Sequence, residues 1–143
     1  MSSPFDFDAA MAGIETSLAA KLPHRVVQRS LVLDPINHDP AAMEKGVICL
    51  VNGGGGRFAN YRGREGQLGR ADLAAVCFVK VADDADPVAT EQAELALLAD
   101  LLGWVADTGT PRPFDSALPK DFRQSKQLDH PYGWIVLELD VRP

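Results

Sequence analysis

The sequence predicts an α+β fold, a mixed or antiparallel sheet of about four strands with an amino-terminal helix and one long helix packed on it, in the order α-β-β-β-α-β. Two stretches repeat apolar residues every three or four positions. Four others alternate or run continuously apolar between turn residues. The chain has 143 residues, 46% hydrophobic and 24% charged, which suits one core, so residues 1–143 are expected to form a single domain.

Ser3 and Pro4 supply a capping hydroxyl and a proline for a first helix, with Asp6 complementing its dipole. Phe7, Met11, Ile14, Leu18 and Leu22 then form one stripe until Pro23 stops the helix. Val26 to Leu33 alternates as a half-buried strand and ends at Asp34-Pro35, and the polar, proline-bearing stretch to Glu44 reads as a connection. The apolar run Val47 to Val51, bounded by Gly46 and Asn52, fits a strand covered on both faces at the centre of the sheet.

Residues 53–70 hold seven glycines and four arginines, with Phe58 and Tyr61 interleaved and no hydrophobic period, so a flexible basic arm is expected. Leu73 to Ala82 returns to a strand pattern, which makes the arm the tip of a long antiparallel hairpin. Asp86-Pro87 opens the long helix, which Gly109 closes. From Pro87 to Thr108 it would extend roughly 33 Å, enough to cross about five strands. Val88, Leu95, Leu98, Leu102 and Val105 form its stripe, while Leu97, Leu101 and Trp104 lie off it, so more than its own sheet should cover this helix and a subunit interface is expected. Residues 110–127 carry three prolines and read as an irregular crossing loop, and Tyr132 to Val141 closes the chain as an alternating strand.

Chemistry-bearing constellations are sparse. Gly54, Gly56 and Ala59 match the spacing of a dinucleotide-binding loop, but no helix pattern follows to present its amino terminus to a phosphate, and no P-loop lysine is present. A small nucleotide- or phosphate-binding enzyme built on Gly53 to Gly56 is therefore the minor alternative. His24, His38 and His130 are scattered, so no metal site is expected. Asp129-His130 lacks a serine in a nucleophile elbow and reads as turn residues. Cys49 and Cys77 sit in apolar strands as buried thiols, with a cross-strand contact between them left open. Neither catalysis nor a cofactor is expected. No apolar run is long enough to span a bilayer, and the acidic start differs from a signal peptide, so no membrane contact is expected.

The net charge of −6 disfavours wholesale binding of nucleic acid, but it is unevenly divided. Asp83, Asp84, Asp86, Glu91, Glu94, Asp100 and Asp107 give the segment 81–111 a charge of −7 without a lysine or arginine, whereas Arg57, Arg62, Arg64 and Arg70 against Glu65 make the arm +3. The bland reading is a solvated face. The sharper one is a head-to-tail contact closing into a ring, in which Arg57, Arg62, Arg64 and Arg70 of one copy meet Glu91, Glu94, Asp100 and Asp107 of the next, beside Trp104.

The order of these elements, the segment Lys21-Leu22-Pro23 ending the first helix, the strand Val47 to Val51 before a long loop, the acid-flanked helix through Gly103-Trp104 and the lead His130-Pro131-Tyr132-Gly133-Trp134 into the last strand resemble the tail-completion proteins of tailed bacteriophages and prophages, the lambda-type tail terminator and minor tail group. The resemblance covers nearly the whole chain. It implies a structural α+β subunit that assembles into a ring, a hexamer, at the head-proximal end of the tail tube. There it would end tube polymerisation with the tail tube protein on one side and a head-tail connector protein on the other. The virion tail, and the bacterial host cytoplasm during assembly, are the implied locations, and DNA would touch the arm transiently in the channel. A tail-assembly chaperone, another minor tail component or a host adapter domain would leave a similar footprint. The family has no catalytic signature, so no functional residue is carried over.

Overall fold

Alternation with a period of two sends neighbouring side chains to opposite faces of a sheet, and the strands of this chain use both faces. A computed structural model describes residues 6–61, 64–107 and 116–142, with 56–61, 64–70, 116 and 142 described by their backbone alone. The chain runs α1 (Phe7–Lys21), β1 (Val26–Gln28), α2 (Pro40–Lys45), β2 (Val47–Tyr61), β3 (Arg64–Lys80), α3 (Pro87–Ala106), β4 (Ser116–Gln124) and β5 (Tyr132–Arg142). The sheet order is β1-β2-β3-β5-β4, with β1 parallel to β2 and every other pairing antiparallel. The α+β architecture on one mixed sheet is as expected, with five strands rather than four and one additional helix.

On one face of the sheet Ile48, Leu50, Leu73, Ala75, Cys77, Val79, Ile135, Leu137, Leu139 and Val141 are buried under α1 and α3. The stripe on α1 behaves as its spacing requires, with Met11, Ile14, Leu18 and Leu22 all in this core. Trp104 of α3 is buried there too, and its indole Nε1 donates to Ser17 Oγ of α1 at 3.0 Å, which satisfies the ring's one polar atom and ties the two helices together. On the opposite face Val47 and Cys49 pack with Val32 and Met43, the latter from α2. Cys49 and Cys77 thus belong to different faces, so the cross-strand contact between them is not made.

Four local expectations change. The first strand stops at Gln28, because the chain turns back there and buries Val32 in the second core instead of continuing in the sheet. The connection 35–44 contains α2, started by Asp39, whose carboxylate accepts from Ala41 N, and by Pro40 at its first turn; this cap-then-proline signal is the same as that of α3. The cap of α1 is Asp6, accepting from Ala9 N, whereas Ser3 and Pro4 lie outside the described residues. The crossing 110–127 is not irregular throughout: 116–124 is an edge strand, with Pro119 beside a register shift, a position in a sheet that tolerates proline. The backbone of the expected arm continues the ladder between β2 and β3, with Arg57 opposite Arg70 and Tyr61 opposite Arg64, after a shift between Asn52 and Gly56. Arg62 and Gly109 lie outside the described residues.

The largest correction concerns the rotation of α3. Its buried residues are Thr90, Glu94, Leu97, Leu98, Leu101 and Trp104. Val88, Leu95 and Leu102 of the expected stripe are instead exposed, at 41%, 41% and 38%. Thr90, Glu94, Leu97, Leu101 and Trp104 follow helical spacing faultlessly, but the first two are polar and hid the period.

Close approach of α3 to β5 is made possible by Gly133. A Cβ there would stand 2.6 Å from Glu94 Oε2 and 2.7 Å from Thr90 Cγ2, inside van der Waals contact with a helix fixed at both points. Gly133→Ala is expected to destabilise the fold by about 2 kcal/mol through overpacking, read as a lower urea midpoint with an unchanged slope.

Candidate functional site

The acidic helix was expected to offer four carboxylates to a neighbour, and the structure employs three of them within the chain. Glu94 is 0% exposed. It accepts from Ser125 Oγ in a very short hydrogen bond, from Trp134 N at 3.0 Å and from Gln124 Nε2 at 3.2 Å. Beside it Thr90 Oγ1 and His130 Nδ1 share a hydrogen bond of 2.7 Å. Asp100 Oδ2 meets Arg25 Nε at 2.9 Å and His24 Nε2 at 3.0 Å, while Arg25 Nη1 also donates to Lys45 O. Asp107 pairs with Lys21 at 3.0 Å, and Trp104 lies in the core. Glu94 is met by neutral donors, and only Glu91, half-buried, has no hydrogen-bond or ion-pair partner among the described residues. Arg57, Arg64 and Arg70 are on the β2–β3 ribbon, with Arg57 opposite Arg70 and Tyr61 opposite Arg64.

The glycine loop also lands differently from a phosphate cradle. Gly53 to Gly56 form part of β2, Gly54 with a φ of +89° that suits glycine, and the backbone proceeds as strand to Tyr61 rather than into a helix. His130 is engaged by Thr90, and Asp129 Oδ2 accepts from Trp134 Nε1 at 3.2 Å, so the two are not arranged as acid and base around a serine. Among the described residues no cluster of three or more His, Cys, Asp or Glu has the geometry of a metal site, and no helix is long and apolar enough to cross a membrane.

A feature without a sequence motif is more suggestive. Phe78 and Trp134 are directly opposite one another on β3 and β5, and Tyr132 is opposite Lys80 on the same face. This aromatic patch, the segment Asp34-Pro35-Ile36 and Asp129 line an open cleft of about 340 Å³. Lys80 Nζ lies 5.8 Å from the Tyr132 ring centroid and is held by Asp83 at 3.0 Å. Ile36 of this lining is 71% exposed. The sequence signal was available in principle, since Phe78, Tyr132 and Trp134 share a strand parity, but only the pairing of β3 with β5 brings them together.

No protein-family model matches the chain, and no curated protein matches it.

Two outcomes test the site's buried groups. Replacing Glu94 with Ala would strand the Ser125 hydroxyl, the Trp134 amide and the Gln124 amide in the interior, at a cost of about 3 kcal/mol or more, whereas Glu94→Gln keeps an acceptor and should lose less. Thermal unfolding of the two variants checks the order. Burial pushes both the Cys49 and Cys77 thiols up from their ordinary range. Neither should react with iodoacetamide at pH 8 in the native protein, and both should react in denaturing urea, as mass spectrometry would show.

Proposed function

We propose that the chain is a self-assembling structural subunit of the tail-terminator type, forming a ring that caps a bacteriophage or prophage tail tube and joins it to the head. The observation that carries the self-assembling part is the outer face of α3. Val88, Leu95 and Leu102 recur there every seven residues, with Ala96, Ala99, Gly103 and Ala106 also exposed on the helix and Gln92 the only polar residue with them. A helix with one face in the core and an uncharged, apolar second face is built to be covered, and a neighbouring copy is the cover that an assembling subunit provides. Small side chains on that face allow a close approach of the neighbour's backbone or side chains.

The element order and the lead into the last strand, which resemble the tail-completion family, support the choice of tail over another assembly. The sheet, the long hairpin extended by the glycine- and arginine-rich ribbon, and the scarcity of catalytic constellations fit a building block better than a nucleotide-using enzyme. In this role the tail tube protein and a connector protein would be the end-on partners, and the protein would reside in the virion tail after assembly in the host cytoplasm.

Light scattering coupled to size exclusion tests the interface. Leu95→Glu with Leu102→Glu should reduce the oligomer to monomers without changing the circular dichroism, because the two positions are outside the core. An oligomer indifferent to both charges would overturn the α3 interface. Adding the wild-type chain to polymerising tail tube subunits should shorten the tubes and leave rings at one end by electron microscopy; tubes of unaltered length would refute the capping role.

A further inference from the structure

We propose that the cleft between Asp34-Pro35-Ile36 and the aromatic patch Phe78, Tyr132 and Trp134 is a receptor for guanidinium side chains, filled by the arginine-rich β2–β3 ribbon of a second copy of this chain. The assignment rests on the self-assembling reading above, and it replaces the acids of α3 as the destination of the ribbon.

The chemistry of the cleft selects the ligand. Aromatic faces attract a delocalised cation, and a planar guanidinium both stacks on such faces and donates in-plane to carboxylates, which a compact ammonium does less well. The cleft provides both components: three rings on one sheet face and, at its edge, Asp34 and Asp129. Among the described residues Asp34 accepts from Asn37, at 2.7 Å from its Nδ2, and Asp129 accepts from the Trp134 indole, so each carboxylate retains acceptor capacity. Among the described residues neither carboxylate is paired with a cation. Of the nearby cations, Lys80 is held by Asp83 and stands 5.8 Å from the Tyr132 ring, which leaves Phe78 and Trp134 to stack on the ligand, and Arg123 and Lys126 line a separate cleft that shares Trp134 but neither carboxylate. A volume of about 340 Å³ admits one or two arginine side chains with their aliphatic stems against the exposed Ile36.

Topology decides that the arginines come from another molecule. The ribbon and the cleft stand at opposite ends of β3, for Arg70 pairs with Arg57 at one end while Phe78 pairs with Val47 at the other. Eight residues of antiparallel strand separate Arg70 from Phe78, about 27 Å, and the ladder directs the ribbon away from the cleft. A projection at one end and a socket at the other define a heterologous contact, the kind that closes into a ring when the rotation between copies permits. The ribbon's four arginines against one glutamate, and the cleft's two carboxylates, are complementary in sign.

Three charge variants test the contact, each measured by light scattering at low and high salt. Asp34→Asn with Asp129→Asn retains an acceptor at each position and should weaken assembly about tenfold, with the salt dependence of the residual association much reduced. Arg62→Glu with Arg64→Glu should do the same from the other side. Asp34→Lys with Asp129→Lys should not assemble alone, but mixed with the Arg62→Glu, Arg64→Glu variant it should restore a larger, alternating oligomer, because the intact ribbon meets the intact socket in one contact and the Glu ribbon meets the Lys socket in the next. Combining all four substitutions in a single chain should restore the larger oligomer. Wild-type assembly of the Asn variant would overturn the receptor while leaving the α3 interface standing. A wild-type chain that stays monomeric up to 1 mM would overturn the receptor as well, and tube capping then judges the wider reading separately.

Discussion

A carboxylate held entirely inside the protein, without a cation beside it, is the constraint on which the arrangement of the second half of the chain depends. Glu94 receives hydrogen bonds from the Ser125 hydroxyl, the Gln124 amide and the Trp134 backbone N–H, and so ties α3 to the end of β4, to the turn and to the start of β5 at once. Burial of a charge is costly unless the lone pairs that face the interior are met by donors, and three donors from two backbone segments, residues 124–125 and Trp134, do that here. Moving either segment then strands a donor or the carboxylate itself. Gly133 completes the device by letting the helix approach where any side chain would collide with Glu94 and Thr90.

The same tie determines which side of α3 faces outward. Leu97, Leu98, Leu101 and Trp104 fill the core only when Glu94 points at the β4–β5 turn, and in that rotation Val88, Leu95 and Leu102 are left at the surface. The ion pairs of the helix follow this orientation rather than create it. Lys21–Asp107 is solvent-exposed enough to contribute little, whereas Arg25, whose side chain is 15% exposed, bonds both Asp100 and the Lys45 carbonyl and so fastens the start of β1 to α3 and to the end of α2. Gly46 leaves the room for that arginine, since a Cβ there would lie 2.9 Å from Arg25 Nη1.

These features explain which parts of the fold were legible in the sequence. The stripe of α1, the covered strand at Val47 and the alternation of β5 are written in apolar spacing, because each is fixed by burial alone. The orientation of α3 was not, because its buried stripe begins with Thr90 and Glu94, and a period read from hydrophobicity passes over polar residues that the fold satisfies internally. The strand β4 was obscure for the opposite reason: at the edge of the sheet its residues Leu118, Lys120, Asp121, Phe122 and Arg123 are all exposed, and what makes it a strand is pairing with β5. Charge was legible as a sum but not as a location. Of the acids expected on one solvated face, Glu94 is in the interior and Asp100 and Asp107 are paired across to the end of α1 and the start of β1.

Pairing in the sheet also couples the aromatic patch to the core. Side chains on β3 alternate between the two faces, so Ala75, Cys77 and Val79 face α1 and α3 while Val76 and Phe78 face away, and β5 matches them with Ile135 and Leu137 against Trp134 and Val136. A slip of one residue between these strands would exchange the two sets and place Trp134 under the helices, with Ile135 outside. The buried contacts therefore hold Phe78 opposite Trp134 as firmly as they hold the core itself, and Trp134 is fixed a second time where its backbone N–H reaches Glu94. One register thus governs three things together: the apolar face that closes the protein, the aromatic surface beside Asp34 and Asp129, and the direction in which the glycine- and arginine-rich ribbon leaves the sheet. In the proposed assembly a projection and a socket set by a single strand would repeat one geometry from copy to copy, as a closed ring would demand of every member.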